Sequence, residues 1–195
     1  LGPDAAGVAA ELELPTGVLR VERPPEYGGG EDLYFPDGSD GAIEAAVRAA
    51  GGEVASPHDY EIWRVERGIP RFGLDITADN LPQETGLVPL AVSFDKGCYT
   101  GQEVVARIHY RGQVNRHQRG IRPARPYSGP PVPSGAELTK EGRVVGVTTS
   151  WCASPRLGPI GLGYVRRELA VGDEIDVAAD RPFRCVVTEQ RFTST

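Results

Sequence analysis

Residues 142–169 read GRVVGVTTSWCASPRLGPIGLGYVRREL, two runs rich in Val, Thr, Ile and aromatic residues, parted by a Ser-Pro and a Gly-Pro step. Neither run carries a 3.6-residue period, and both have the β-branched, glycine-punctuated character of strands. DEIDVAA (173–179) and FRCVVTEQRF (183–192) continue the pattern, so a small β-barrel or sandwich is expected from about Arg119 to the last residue. Just upstream, IRPARPYSGPPVPSG (121–135) is proline-dense and reads as a linker or a long exposed loop.

Toward the start of the chain the pattern is mixed. GVLRV (17–21) and DLYF (32–35) are short strand-like runs flanking the Pro- and Gly-rich loop ERPPEYGGG. SDGAIEAAVRAAGG (39–52) is an amphipathic helix with Ser39 or Asp40 as its N-cap; Ala42, Ile43, Ala46, Val47 and Ala50 share one face, and a Gly pair stops it. A second helix is expected over His58–Arg67, ended by Gly-Ile-Pro, with Ile62, Val65 and Trp63 inward. The fold class is therefore α+β.

With 195 residues the chain buries a core without metal or disulfide staples. Its three cysteines, Cys98, Cys152 and Cys185, are widely spaced and never form C-x-x-C, which argues against a disulfide framework and a zinc site; no metal is assigned, and a reducing cytoplasm is the expected compartment. No apolar run is long enough to span a membrane and no leader pattern is seen, so a soluble protein is expected. The chain lacks methionine and opens on LGPDAAGVAAEL, as if inside an element; an N-terminal part is expected to be missing. Charge is divided: residues 1–95 hold 6 basic and 18 acidic side chains, residues 96–195 hold 15 and 9. From Val104 to Ala136 there is no carboxylate, yet Arg107, Arg111, Arg116, Arg119, Arg122 and Arg125 stand there with His109 and His117. That stretch is either a solvated basic face or a site for an anion.

KGCYTGQE (96–103) joins a cation, a cysteine and a helix start. Thr100 and Glu103 have the spacing of a capping box, so a helix is expected to run through VVARIHY, burying Val104, Val105 and Ile108 and ending at Gly112. Gly97 would then turn the chain so that Cys98 lies just outside that helix N-terminus beside Lys96, a setting that favours thiolate over thiol; the competing account is a small buried hydrophobe. Cys152 and Cys185, in β-type runs without a basic neighbour, read as packing residues.

The eight residues of KGCYTGQE resemble the signature of the YgfZ-type folate-binding proteins, relatives of the glycine-cleavage T-protein (aminomethyltransferase). The likeness extends through RVERGIPRFGLDIT and LPQETGLVPLAVSFDKGC upstream and through residues 142–169 downstream. It implies a T-protein-like arrangement: 1–55 as the remainder of a ferredoxin-like α+β domain, 56–118 as part of a second, and 119–195 as a C-terminal β-barrel. It also implies tetrahydrofolate as cofactor. Glu66, in RVERG, matches the glutamate that holds the pterin, and a carboxylate can accept two parallel hydrogen bonds from that ring. Glu84, in LPQE, is a second candidate. Phe72 stands where the T-protein has tyrosine and would either stack on a ring or pack in the core. Cys98, with Lys96, takes the place of a T-protein aspartate, and the family's catalytic aspartate belongs to an N-terminal portion not in this chain. The resemblance thus implies an accessory protein for assembly or repair of iron–sulfur enzymes, including tRNA modifiers, with a functional cysteine. A folate-dependent aminomethyltransferase is the alternative, and direct tRNA binding by the basic stretch a third reading.

Overall fold

In the computed structural model the described residues are 4–25 and 29–192, less the side chains of Val104, His109 and Arg111; the expected burial of Val104 and the places of His109 and Arg111 in the basic stretch lie outside them. The chain divides into two compact units, Leu1–Tyr60 and Glu61–Thr195.

In the first unit α1 (Ala5–Glu11) precedes an antiparallel hairpin of β1 (Leu19–Glu22) and β2 (Glu31–Tyr34), with Leu19 opposite Tyr34 and Glu22 opposite Glu31. Arg20 donates to Glu31 at 2.8 Å and Arg23 pairs with Asp32 across the hairpin formed by the two strand-like runs. The helix expected at 39–52 is α2 (Asp40–Ala49), with Ile43 buried. Ser39 occupies the N-cap position, but its hydroxyl makes no capping bond. α3 (Pro57–Glu66) carries the capping box the sequence reading passed over: Ser56 N–H and Oγ donate to Asp59 at 3.0 and 2.6 Å, and Asp59 N–H donates back to Ser56 Oγ at 3.2 Å.

The second unit is built on a closed barrel of six antiparallel strands, β3 (Arg116–Pro123), β4 (Glu137–Lys140), β5 (Arg143–Ser154), β6 (Gly158–Arg166), β7 (Glu174–Val177) and β8 (Phe183–Thr188). Their order around the barrel is β3-β6-β5-β4-β7-β8, and β8 closes on β3 through Gly120↔Thr188 to Pro123↔Cys185. Closure removes sheet edges. Alternate residues point inward: Ile121, Leu138, Ile175, Val177, Cys185 and Val187 are sealed at 0–1% exposure. Cys185 therefore packs as expected. β5 takes a register shift between Thr148 and Ser150, and there the next strand presents Gly161, where a Cβ would collide with the Trp151 ring.

The outward face of β5 and β6 is covered in turn: Cys152, Ile160 and Leu162 pack with Val65, aided by Ile62, Leu157 and Phe192. The expected inward residues of α3 are thus Val65 with half-buried Ile62 and Trp63, but the deepest charged neighbour is Arg64 at 1% exposure, which an apolar face does not predict. Between α3 and the barrel lie a 3-10 turn at Pro82–Glu84, the short α4 (Val88–Ala91) and α5 (Gln102–Arg111), which ends at Gly112. The proline-dense stretch opens with Ile121 in the barrel core and then forms the long β3–β4 loop. Among the described residues no helix is long and apolar enough to cross a membrane.

Candidate functional site

Around the C-terminal end of α3 the chain gathers charge that a helix pressed on a barrel would normally exclude. Arg64 Nη1 donates to Asp75 at 2.8 Å and to the Ile69 carbonyl at 3.2 Å, while Nη2 reaches Ser150 Oγ at 2.8 Å and Glu61 at 2.6 Å. Asp75 is enclosed as well: its Oδ1 accepts from Thr149 and Ser150, at 2.5 and 2.7 Å, and its Oδ2 also accepts the Arg71 N–H at 3.0 Å. Each buried charge is paired and hydrogen-bonded, the condition under which burial is tolerated. This network pins α3, the loop 69–76 and β5 in one arrangement.

Glu66 stands beside it, one turn-step along the helix. Its Oε1 accepts from Ser154 Oγ at 2.5 Å and its Oε2 from Arg156 Nη2 at 2.7 Å. Burial would raise its pKa, but the bonds from Ser154 and Arg156 outweigh that and hold it below the usual carboxylate value, so Glu66 is an anion at neutral pH. Arg67, whose guanidinium lies 4.9 Å from the Trp63 ring centroid, is pushed down by burial and by the neighbouring Arg191 and Arg156. Gly68 follows at φ +66, and the C-terminal segment passes so close that a Cβ there would overlap the Gln190 carbonyl. Gln190 Nε2 donates to Gly68 O at 2.9 Å, Thr85 O at 3.1 Å and Gln118 Oε1 at 2.8 Å, and Phe192 N–H donates to Glu66 O at 2.9 Å.

Glu84, the other carboxylate singled out by the sequence, is 7% exposed at the end of the 3-10 turn. It accepts from Arg116 Nε at 3.0 Å and Asn80 Nδ2 at 3.4 Å, so the buried carboxylate is paired with a partly exposed guanidinium; Arg116 in turn lies 5.0 Å from the Tyr164 ring centroid. Phe72 corrects the expectation of core packing: it is 78% exposed, in a loop closed by the Phe72↔Ile76 bridge.

The KGCYTGQE loop also differs from its expected geometry. Thr100 is not the cap. Gly101, at φ +85, occupies the N-cap position with no side-chain capping bond, and α5 begins only at Gln102. The left-handed turn needed just before the helix falls on Gly101, where glycine has no steric penalty, and that displaces the box by one residue. The reach-back comes instead from Gln102 Oε1, which accepts the Tyr99 N–H at 3.4 Å; Glu103 is exposed. Lys96 Nζ lies 4.7 Å from the Tyr99 ring centroid. Cys98 is exposed and free, while Cys152 and Cys185 are buried, their thiols pushed up to about 12 chiefly by burial. Gln190 thus links the Glu66 and Glu84 segments, whereas Cys98 and Lys96 sit on the α4–α5 connection outside both networks. Sequence reasoning missed Arg64, Asp75, Ser154, Arg156 and Gln190. One signal was present: an arginine flanked by Trp63 and Val65 on a helix face that must be buried.

A closed six-stranded barrel at the C-terminal end of a mixed α/β chain fits the T-protein class of fold. Residues 116–193 match the glycine cleavage T-protein C-terminal barrel domain. A crystal structure of glycine cleavage system aminomethyltransferase T from Bartonella henselae superposes with a TM-score of 0.78 over 98% of this chain and 58% of that one, at 23% identity. The human mitochondrial iron-sulfur cluster assembly factor IBA57 is 34% identical over 148 residues, covering 74% of this chain and 40% of its own. The tRNA-modifying protein YgfZ of Yersinia enterocolitica is 49% identical over 53 residues, 27% of this chain and 16% of its own. The chain is thus related to the YgfZ-type proteins and to the T-protein family. It spans well under half the length of these curated relatives.

Proposed function

We propose that this chain is part of a tetrahydrofolate-binding accessory protein that serves iron–sulfur cluster assembly or repair, with Cys98 as its functional thiol. The observation that carries the reading is Glu66: an ionised carboxylate fixed by Ser154 and Arg156 at the position that matches the family's pterin-holding glutamate. Each of its oxygens is described with one side-chain donor, and a carboxylate offers about four acceptor sites in all. The donor set therefore fits a pterin, whose amino group and ring N–H would use the remaining lone pairs. Phe72, exposed on the loop six residues on, offers a ring for stacking, and Glu84 with its Arg116 partner supplies the second acidic contact. When bound, the folate supplies one-carbon chemistry. The protein's part is to orient the ring and, through the exposed Cys98 with Lys96 nearby in sequence, to present a thiol to an iron–sulfur client. A link to tRNA modification is indirect in this reading, through such clients. The free cysteines favour a reducing compartment; the cytoplasm is proposed, although the human relative is mitochondrial by name.

Calorimetric titration of tetrahydrofolate into the wild-type chain, Glu66→Gln and Phe72→Ala tests the site. Binding that falls about tenfold or more in Glu66→Gln supports it. Equal affinity in all three proteins overturns it. Complementation of a strain lacking its own relative, scored by an iron–sulfur enzyme's activity, tests the thiol: full rescue by Cys98→Ala removes the cysteine from the mechanism.

A further inference from the structure

The barrel is closed, but its ladders are not continuous. β3 pairs with β6 only from Arg116↔Arg166 to Ile121↔Gly161, then turns to β8 through Arg122↔Val186 and Pro123↔Cys185. Residues 158–160 of β6 remain paired with β5 and have no strand on their other side. At this divergence the outer wall carries a groove of about 700 Å³. Arg122 and Arg125 line it together with Leu157 and Pro159 from the β6 side and Val186 and Thr188 from β8. No lining residue is acidic. Arg116, Arg119, Arg156, Arg166 and Arg184 each meet a carboxylate, whereas Arg122 and Arg125, like Arg143 outside the groove, have none within ion-pair distance among the described residues.

We propose that this groove docks an extended acidic peptide segment of a protein partner. Three features select that occupant. Two guanidiniums without carboxylates suit a chain bearing several, and the charge gap from Val104 to Ala136 leaves nothing in that stretch to repel it. The strand start at 158–160 offers main-chain groups to an extended backbone, fewer than usual because Pro159 has no N–H. The banks are otherwise apolar, which suits alternating aliphatic side chains. Nucleic acid fits less well: Tyr127, the aromatic residue in the groove, is stacked on Phe183 at 4.1 Å and its hydroxyl is held by the Pro130 carbonyl at 2.8 Å, so its ring is not free for a base. The proposal is independent of folate binding and is tested without folate.

The probe is a fluorescein-labelled octapeptide of alternating Glu and Val, followed by anisotropy at low salt, with the Lys–Val peptide and a uridine octamer as comparisons. The expected result is binding of the Glu peptide alone, weakened at least about tenfold in R122E/R125E and partly in R122Q/R125Q, with less than about twofold change in R143E at the exposed start of β5. Should R122E/R125E fail to fold by circular dichroism, R122Q/R125Q carries the comparison. No binding of the Glu peptide up to about 1 mM, unchanged binding in both double variants, or tighter binding of the uridine octamer through the same arginines each overturns the proposal.

Discussion

Removing the Asp75 carboxylate should unfasten α3 from the barrel. In Asp75→Ala the Arg64 guanidinium stays at 1% exposure and keeps only the half-buried Glu61 as an anionic partner, while the Ser150 hydroxyl and the Arg71 N–H lose their acceptor and the Thr149 hydroxyl keeps only the Leu162 carbonyl at 3.2 Å. Breaking a buried pair by deleting one member costs about 3–5 kcal/mol, because the surviving charge is left desolvated. In a chain of this size each kcal/mol moves the melting temperature by roughly 2–4 °C, so a fall of about 10 °C is expected. Chemical denaturation of the wild type, Asp75→Ala and Glu61→Gln measures it, with Glu61→Gln as the exposed-side control losing about 1 kcal/mol. A double-mutant cycle with Arg64→Met should show strong coupling, since an apolar side chain in place of Arg64 no longer needs the carboxylate. A loss below about 1 kcal/mol in Asp75→Ala would show that water, not Asp75, satisfies these donors, and the account of the network would be wrong.

The remaining expectations concern single side chains. Because Glu66 has a lowered pKa in the folded chain, its contribution to stability is complete above its unfolded value near 4.5 and disappears as pH falls through the folded value; Glu66→Gln should therefore be less stable at pH 7 and flatten the acid limb of a stability–pH curve. Native protein at pH 8 should react with Ellman's reagent at Cys98 alone, with Cys152 and Cys185 appearing only in guanidinium; two or three fast thiols would contradict the packing described. Gly68→Ala combines a positive φ with overlap onto the Gln190 backbone and should cost about 2 kcal/mol or more in a denaturation assay, whereas an alanine at open Gly41 in α2 should stabilise by a few tenths.

Much of the barrel was legible because its runs are rich in β-branched residues and its turns carry Gly and Pro, signals that need only local chemistry. β3 was harder: its basic, polar first half, RHQRG, reads as a charged face, and only the ladders with β6 and β8 make it a strand. The α5 cap was misread by one residue because Thr100-x-x-Glu103 satisfies the pattern, yet the backbone chose Gly101 for its left-handed turn; the cap that does form, Ser56-x-x-Asp59, uses aspartate where the rule favours glutamate. Glu66 and Glu84 were named from a motif, but their partners Arg156 and Arg116 lie 90 and 32 residues away, and no local pattern reports such pairings. For Phe72 the sequence left ring stacking and core packing both open. Its exposure follows from Arg71–Asp75 hydrogen bonding, which folds the loop back on itself and leaves the ring outside.

Gln190 and Phe192 hold residues that were made more than 120 positions earlier, at Gly68 and Glu66. During synthesis the early helix end must therefore wait, its carbonyls open to water, until the closing segment has left the ribosome. The Glu66 end of that helix therefore reaches its final hydrogen bonding only after residue 192 has emerged.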